Sequence, residues 1–306
     1  MTDVHSDSCV HGDLLVNESL ARYTSWRVGG KADRLFRPRD RDGLVAFLRE
    51  LPVWEPIFWL GMGSNLLIRD GGIRGTVIHV RGRLNEVRME GENIVYAESG
   101  VLCPHLARFC SDQGLAGAEF FSGIPGSLGG ALAMNAGAFG DETWPLVEEV
   151  VTVDRRGCCR ARVRDEYQAG YRRISGPGNE FFLAAKLKLG SEQGTESRER
   201  IKILLARRAN TQPLNLPSCG SVFRNPPGDF AARLIEVCGL KGYCIGGAAV
   251  SEKHANFIVN RNRARAVDIE TLIEWVRREV ERQHGIRLVR EVRIVGEAVG
   301  DGEEQC

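Results

Sequence analysis

Gly117-Ala118-Glu119-Phe120-Phe121-Ser122-Gly123-Ile124-Pro125-Gly126-Ser127-Leu128-Gly129-Gly130-Ala131-Leu132-Ala133-Met134-Asn135-Ala136-Gly137-Ala138 is the stretch on which the rest of the chain is organised. It is rich in glycine and carries a single acid, near its start. A surface loop would normally be charged, and a core helix avoids glycine, which costs about 1 kcal/mol per residue against alanine. Clustered glycines suit a backbone that must come close to something flat or anionic. Pro125 fixes one φ, Gly123 and Gly126 can take angles other residues cannot, and the small residues from Ser127 to Ala133 could leave N–H groups facing a ligand. The alternative is a tight turn leading into a close-packed helix.

Outward from this stretch, 306 residues suggest two or three domains, and 43% hydrophobic content supplies a sizeable core. With 41 basic and 40 acidic residues the formal charge is +1, which calls for neither nucleic acid nor an anionic membrane as partner. The nine cysteines form no CxxC pair and no zinc-like spacing, so no metal is expected. Cys158 and Cys159 are adjacent, poor geometry for a structural disulfide. Scattered thiols, an N-terminus unlike a signal peptide and no membrane-length apolar run predict a soluble cytoplasmic protein.

In chain order, residues 1–16 read as a loose tail, and Tyr23 to Gly30 as a strand meeting a turn. Asp40 can cap a helix with apolar positions Leu44, Phe47, Leu48 and Leu51, stopped by Pro52. Ile57–Leu60 is a buried strand that enters Gly61-Met62-Gly63-Ser64-Asn65. Leu66–Ile68 follows, with a hairpin-like turn at Asp70-Gly71-Gly72. The Gly61–Asn65 loop could hold a phosphate or be a plain turn. Further strands are expected at Val77–Val80, Ile94–Ala97, Val147–Val153 and Glu180–Leu189, with a helix from Leu102 to Gln113. Residues 190–197 read as a linker, then a basic helix from Ser197 to Ala209. Asp229 can cap a short helix ended by Gly239. The clearest helix runs from Asp268 to His284, with Ile269, Leu272, Ile273, Val276 and Val280 on one face. The strand Val289–Val295 puts Val292 and Ile294 on one face, Glu291 and Arg293 on the other. The loop at Gly61 lacks the third glycine of a dinucleotide fingerprint, no GxxxxGK[ST] occurs, and no repeat is visible.

Taken together, Trp26–Gly30, Gly61–Asn65 with Asp70–Gly75, Ser122–Gly140, Tyr171-Arg172, Gln212-Pro213, Gly220–Pro226, Gly246–Phe257 and Glu291–Arg293 resemble, in order, the UDP-N-acetylenolpyruvoylglucosamine reductase family. The resemblance covers nearly everything from Trp26 to Glu297. It implies an α+β fold: a vanillyl-alcohol-oxidase-type (PCMH-type) FAD-binding domain of two subdomains, residues 21–85 and 86–195, then a C-terminal α+β substrate-binding domain, residues 196–298. Residues 1–20 and 299–306 would be tails.

The resemblance implies FAD and NADPH as cofactors, a UDP-sugar substrate in peptidoglycan precursor synthesis, and no obligate protein partner. It carries over Arg172, Ser221 and Glu291 as catalytic. Gly61, Gly63, Ser64 and Asn65 would receive the FAD pyrophosphate. Gly123, Ile124, Pro125, Gly126, Ser127, Gly130, Asn135 and Gly137 would contact the rest of the cofactor. Asn225, Lys253, His254 and Arg293 would contact the nucleotide sugar. Each has a plainer alternative: Arg172 as a surface charge, Glu291 and Arg293 as a solvated strand face, His254 as a satisfied structural histidine, Ser221 as a turn hydroxyl. Phe181-Phe182 follows Tyr171 too closely for the extra tyrosine loop of some members, which marks the short form. Rival readings are an oxidase of alcohols or sugars on the same FAD scaffold and a non-catalytic nucleotide-sugar-binding scaffold.

Overall fold

A computed structural model describes residues 7–9, 11–191 and 195–299. Six α-helices are described: α1 (Arg41–Glu50), α2 (Cys103–Asp112), α3 (Leu128–Met134), α4 (Glu196–Thr211), α5 (Ala231–Val237) and α6 (Ala266–His284). With short strands between them they make an α+β chain that divides into two units.

The first unit takes the N-terminal strand up to Val16, then Leu35–Met62 and Thr76–Arg208. One five-stranded sheet has the order Asp7–Cys9, Gly12–Ser19, Lys31–Pro38, Ile73–His79, Ile57–Leu60. α1 forms where expected, because the Asp40 carboxylate accepts the Gly43 N–H at 2.8 Å, an N-cap on an otherwise unpaired donor. Its apolar face buries Leu44, Phe47 and Leu48, and the Phe47 ring stacks on Phe36 at 3.7 Å. A second five-stranded sheet, wholly antiparallel, runs Cys159–Val163, Val147–Asp154, Glu180–Lys188, Ile94–Glu98, Val87–Met89. α2 and the glycine-rich stretch share a core with it through Leu106, Phe121, Leu128, Val150 and Leu187.

The second unit takes Asn17–Arg34, Gly63–Gly75 and the chain from Ala209. The apolar stripe of α6, Ile269, Leu272, Ile273, Val276 and Val280, is wholly buried, as its periodicity predicts. The helix stops at Gly285, whose φ of 66° is the left-handed C-cap. Its N-terminus is closed from far away in sequence: the two Asp70 carboxylate oxygens accept the Ala266 and Val267 N–H groups, each at 2.9 Å. Three short strands, Cys244–Ile245, Ala248–Val250 and Ile258–Asn260, complete this core.

Several local expectations are corrected. Asp7–Cys9 and Gly12–Ser19 are paired sheet strands and not a tail; residues 1–6 and 10 of the expected tail lie outside the described residues. Tyr23 to Gly30 is no strand: a 3-10 helix, Leu20–Tyr23, leads into a turn held by Trp26, whose Nε1 donates to the Ile258 carbonyl at 2.7 Å. Asp70–Gly72 makes no hairpin, because Leu66–Ile68 pairs in parallel with Arg293–Val295 while Ile73–His79 joins another sheet. Gly190–Ser191 pairs with Leu115–Ala116, so only residues 192–194 of the expected linker lie outside the described residues and α4 begins at Glu196. The cap of α5 comes from Asn225, whose Oδ1 accepts the Ala231 N–H at 3.1 Å, while Asp229 pairs with Arg233. The last strand is only Arg293–Val295.

One buried base makes a measurable signature. His79 is 4% exposed, and burial together with the Arg37 and Arg81 charges pulls it from 6.5 to about 4; the Gly61 backbone offsets this only in part. The unfolded chain therefore binds the proton more readily. The stability it contributes is complete above about pH 6.5 and is lost as pH falls towards 4, roughly 3 kcal/mol across that window. In denaturant melts from pH 7 to pH 4, a His79→Gln variant is expected to lose that much less stability than the native chain. Parallel curves for the two would contradict it.

Candidate functional site

The glycine-rich stretch opens with a 3-10 helix, Glu119–Gly123, whose Phe120 and Phe121 rings are buried. Its single acid is an anchor. Glu119 accepts the Gly117 N–H at 2.8 Å and both Nε and Nη2 of Arg200 on α4, at 3.1 and 2.7 Å. Burial, the largest single influence, would raise this carboxyl, but the bonds from Arg200, Ser197 and the backbone N–H groups of Glu119 and Gly117 together hold it below its usual range.

The chain then turns into α3, and here an expectation fails. The Leu128 and Gly129 N–H groups do not face a ligand, since they donate to the Val101 and Ser99 carbonyls at 2.9 and 2.8 Å. Three of the glycines are explained by protein neighbours. A Cβ on Gly129 would lie 2.8 Å from that of Ser99, one on Gly123 would lie 2.4 Å from the Phe139 ring, and one on Gly137 would lie 2.3 Å from the Asp141 carbonyl. Gly130 differs: it is exposed, and a Cβ there would meet nothing within 4 Å. Among its neighbours, Ile124 and Gly126 are buried and Pro125 is exposed.

The same turn holds polar atoms with no protein partner. The Ser122 and Ser127 hydroxyls are buried and unbonded. A Cβ on Gly61 would lie 2.8 Å from the Ser127 Oγ, so glycine at 61 leaves that hydroxyl uncovered. Buried hydroxyls are normally hydrogen-bonded. Two unspent donors beside a glycine loop therefore fit a ligand rich in acceptor oxygens, such as the FAD that the sequence implies.

Asn135 ends α3 in the left-handed conformation, φ 46°, and is 1% exposed. Its Oδ1 accepts the Trp144 N–H at 3.0 Å, and its two amide hydrogens go to Glu142 at 2.7 Å and the Gly170 carbonyl at 3.2 Å. Gly170 closes a hairpin, Gln168–Gly170 against Arg173–Ser175, with Tyr171 and Arg172 as its two-residue tip. Arg172 takes φ 53°, which costs an L-residue with a side chain of this size about 1–3 kcal/mol. Its Nη2 donates to the Gly137 carbonyl at 3.1 Å, and its guanidinium lies 5.4 Å from the Tyr171 ring centroid. Asn135 thus holds the hairpin at Gly170, and the Gly137 carbonyl holds the Arg172 guanidinium.

In the second unit, three segments meet. Gly63 takes φ 58°, and its carbonyl accepts the Ser25 N–H at 3.2 Å and the buried Cys219 thiol at 3.6 Å. Burial pushes that thiol up to about 12, so it stays a neutral donor. Asn65 binds across to the C-terminal segment: its Nδ2 donates to the Glu291 carbonyl at 3.1 Å and its own carbonyl accepts the Arg293 N–H at 3.1 Å. Glu291 in turn donates its N–H to the Val222 carbonyl at 2.8 Å. Ser64, Ser221 and Glu291 are half-buried, and Arg293 is exposed.

The structure therefore brings Gly63, Asn65, Ser221, Glu291 and Arg293 onto adjoining segments, although the sequence divides the first two from the rest by more than a hundred positions. The remaining predicted contacts lie elsewhere in this unit. Exposed Lys253 donates to the Ala209 carbonyl at 2.6 Å. Half-buried His254 packs edge-on against Phe257 at 4.7 Å, and burial lowers its pKa, which favours the neutral ring. Asn225 is exposed and caps α5. Sequence reasoning passed over Asn256, whose carboxamide binds the Phe223 N–H and carbonyl at 2.9 and 2.7 Å. The available signal was an amide set in the apolar run Ala255 to Val259, where it must find partners.

Among the described residues no helix is long and apolar enough to cross a membrane and no cluster of histidine, thiol or acidic side chains is arranged to hold a metal ion, and Cys103, Cys110, Cys158, Cys159, Cys219, Cys238 and Cys244 are free thiols. Residues 212–295 match the family model for the C-terminal domain of UDP-N-acetylenolpyruvoylglucosamine reductase, and residues 32–160 match an FAD binding domain. UDP-N-acetylenolpyruvoylglucosamine reductases from Methylococcus capsulatus and Alkalilimnicola ehrlichii are each 60% identical to this chain over 287 residues, covering 94% of it and 94% and 96% of themselves. The crystal structure of the enzyme of that name from Thermus caldophilus is 33% identical, with a TM-score of 0.79 over 90% of this chain and 97% of its own. With an FAD-binding part of the PCMH type, a matching C-terminal domain and these full-length relatives, the chain belongs to the UDP-N-acetylenolpyruvoylglucosamine reductase family.

Proposed function

We propose that this FAD-dependent oxidoreductase reduces the enolpyruvyl ether of UDP-N-acetylglucosamine to UDP-N-acetylmuramate, with NADPH as the electron source, in the cytoplasmic synthesis of peptidoglycan precursors. Identity of 60% over 94% of the chain to reductases of that name carries the reading. The adjoining placement of Ser221 and Glu291, joined through the Glu291 N–H and Val222 carbonyl, supports it.

Bound FAD would supply the hydride, received from NADPH and passed to the terminal alkene carbon of the substrate. Ser122, Ser127 and Gly130 are the residues that would face it in the first unit. Gly61 and the loop Gly63–Asn65 would take its pyrophosphate. In this reading the FAD-binding part is residues 21–85 and 86–195, and residues 196–298 bind the sugar nucleotide.

Hydride addition drives negative charge onto the substrate carboxylate. Arg172 suits that charge, because its planar donors match a carboxylate two at a time. Its hairpin-tip position, braced by Asn135 and Gly137, would fix the fork before substrate arrives. Glu291 would polarise the same group. Ser221 would return a proton to the α-carbon. Asn225, Lys253, His254 and Arg293 remain the proposed contacts to the nucleotide sugar. The hairpin runs on at once into the strand Glu180–Lys188, consistent with the short form of the family.

The test is product identification. NADPH oxidation should depend on the enolpyruvyl sugar and yield a product heavier than it by one hydrogen molecule. NADPH consumption independent of the sugar, or reduction of bound FAD by an alcohol with hydrogen peroxide as product, would instead mark an oxidase. A purified protein without FAD that still binds UDP-sugar would mark a binding scaffold.

A further inference from the structure

We propose that Asn256 is a positioning residue that sets the direction of the Ser221 hydroxyl. The proposal rests on the reading of Ser221 as the proton donor. Asn256 is 3% exposed. Its backbone carbonyl accepts the Val222 N–H at 2.9 Å, and its side chain pairs with both polar groups of the next residue: Oδ1 accepts the Phe223 N–H at 2.9 Å and Nδ2 donates to the Phe223 carbonyl at 2.7 Å. The carboxamide acts as one more strand edge.

On the opposite side the Val222 carbonyl accepts the Glu291 N–H at 2.8 Å, and the Arg224 N–H reaches the Val289 carbonyl at 2.9 Å. Every backbone polar group of Val222 and Phe223 is thereby fixed. Ser221 enters this clamp directly from Gly220, whose φ of 74° is a conformation glycine adopts freely. The backbone that carries the Ser221 side chain is therefore held from its C-terminal side. The Val292 N–H also reaches the Val222 carbonyl, at 3.3 Å, and of these five bonds on Val222 and Phe223 only the two on Phe223 involve a side chain, so only these can be removed by substitution.

An Asn256→Asp variant keeps the size and the acceptor for the Phe223 N–H but sets a carboxylate oxygen against the Phe223 carbonyl. The backbone shifts there and Ser221 is re-aimed. In FAD-loaded enzyme, reoxidation by the enolpyruvyl sugar is expected to slow by about tenfold or more, since small misplacements of a reacting group cost that much. Reduction by NADPH does not use the Ser221 proton and should stay within about twofold. In a Ser221→Ala background the same change should add little, because no hydroxyl remains to be aimed.

Slowing of both half-reactions together, or the same loss with and without Ser221, would show that Asn256 acts independently and would overturn the proposal. If Ser221→Ala alone leaves reoxidation intact, the reading of Ser221 falls and this proposal falls with it. Should the Asn256→Asp variant not accumulate as folded holoenzyme, amide hydrogen exchange on the native holoenzyme decides. A Phe223 amide protected as strongly as the α6 core is the expected result. Exchange as fast as in a solvated loop would overturn the clamp.

Discussion

In Ser221→Ala holoenzyme, reduction by NADPH is expected to run near the native rate, while reoxidation by the enolpyruvyl sugar slows by about 10²–10⁴-fold, the usual loss on removing a positioned general acid. Addition of hydride to the alkene leaves an enolate-like species that must be protonated at its α-carbon. A serine hydroxyl is a poor acid, so the basicity of that species has to drive the transfer, and the hydroxyl has to be small, neutral and well aimed. Ser221 meets those conditions: it is half-buried, follows a glycine with positive φ, and precedes two residues whose backbone groups are all paired. A Ser221→Cys variant should retain more rate than Ser221→Ala, because a thiol can still donate. Stopped-flow traces of the two half-reactions decide it. Equal slowing of both, or of neither, would make Ser221 a structural turn residue.

Arg172→Lys should keep its FAD and lose most of its turnover, by about 10²-fold or more, the scale on which a transition-state donor is lost. The guanidinium donates Nη2 to the Gly137 carbonyl, and its planar fork has the geometry that pairs with a carboxylate. Lysine offers one compact charge and cannot present the flat fork. The left-handed φ at this position strains either side chain alike, so backbone conformation does not confound the comparison. Turnover within threefold of native, in enzyme shown by its absorbance to be fully loaded, would remove Arg172 from the reaction; threefold is about 0.7 kcal/mol of barrier, too little for a lost bidentate contact.

What could be read from the sequence follows a physical line. α1, α2 and α6 were legible because a helix is closed by bonds four residues apart, and its buried face repeats at the same short period. The glycine-rich stretch was visible as well. Sheet partners were not. Leu66–Ile68 pairs with Arg293–Val295, and Asp70 caps a helix beginning at Ala266, through bonds that nothing local encodes. For the same reason Asp70-Gly71-Gly72 imitated a hairpin. Glycine was also ambiguous in kind. Gly123, Gly129 and Gly137 make room for Phe139, Ser99 and Asp141, whereas Gly130 has open space beside it. Asn135 and Asn256 show the same limit, since a sequence gives an amide's capacity for bonds but not whether backbone or ligand fills it.

The most direct test is an anaerobic visible spectrum of the purified protein, recorded before and after NADPH and again after the enolpyruvyl sugar. The account predicts a yellow protein that NADPH bleaches promptly and the sugar restores, with UDP-N-acetylmuramate formed in step with the returning colour. A colourless protein, or one that NADPH bleaches only slowly and the enolpyruvyl sugar fails to reoxidise, would contradict it.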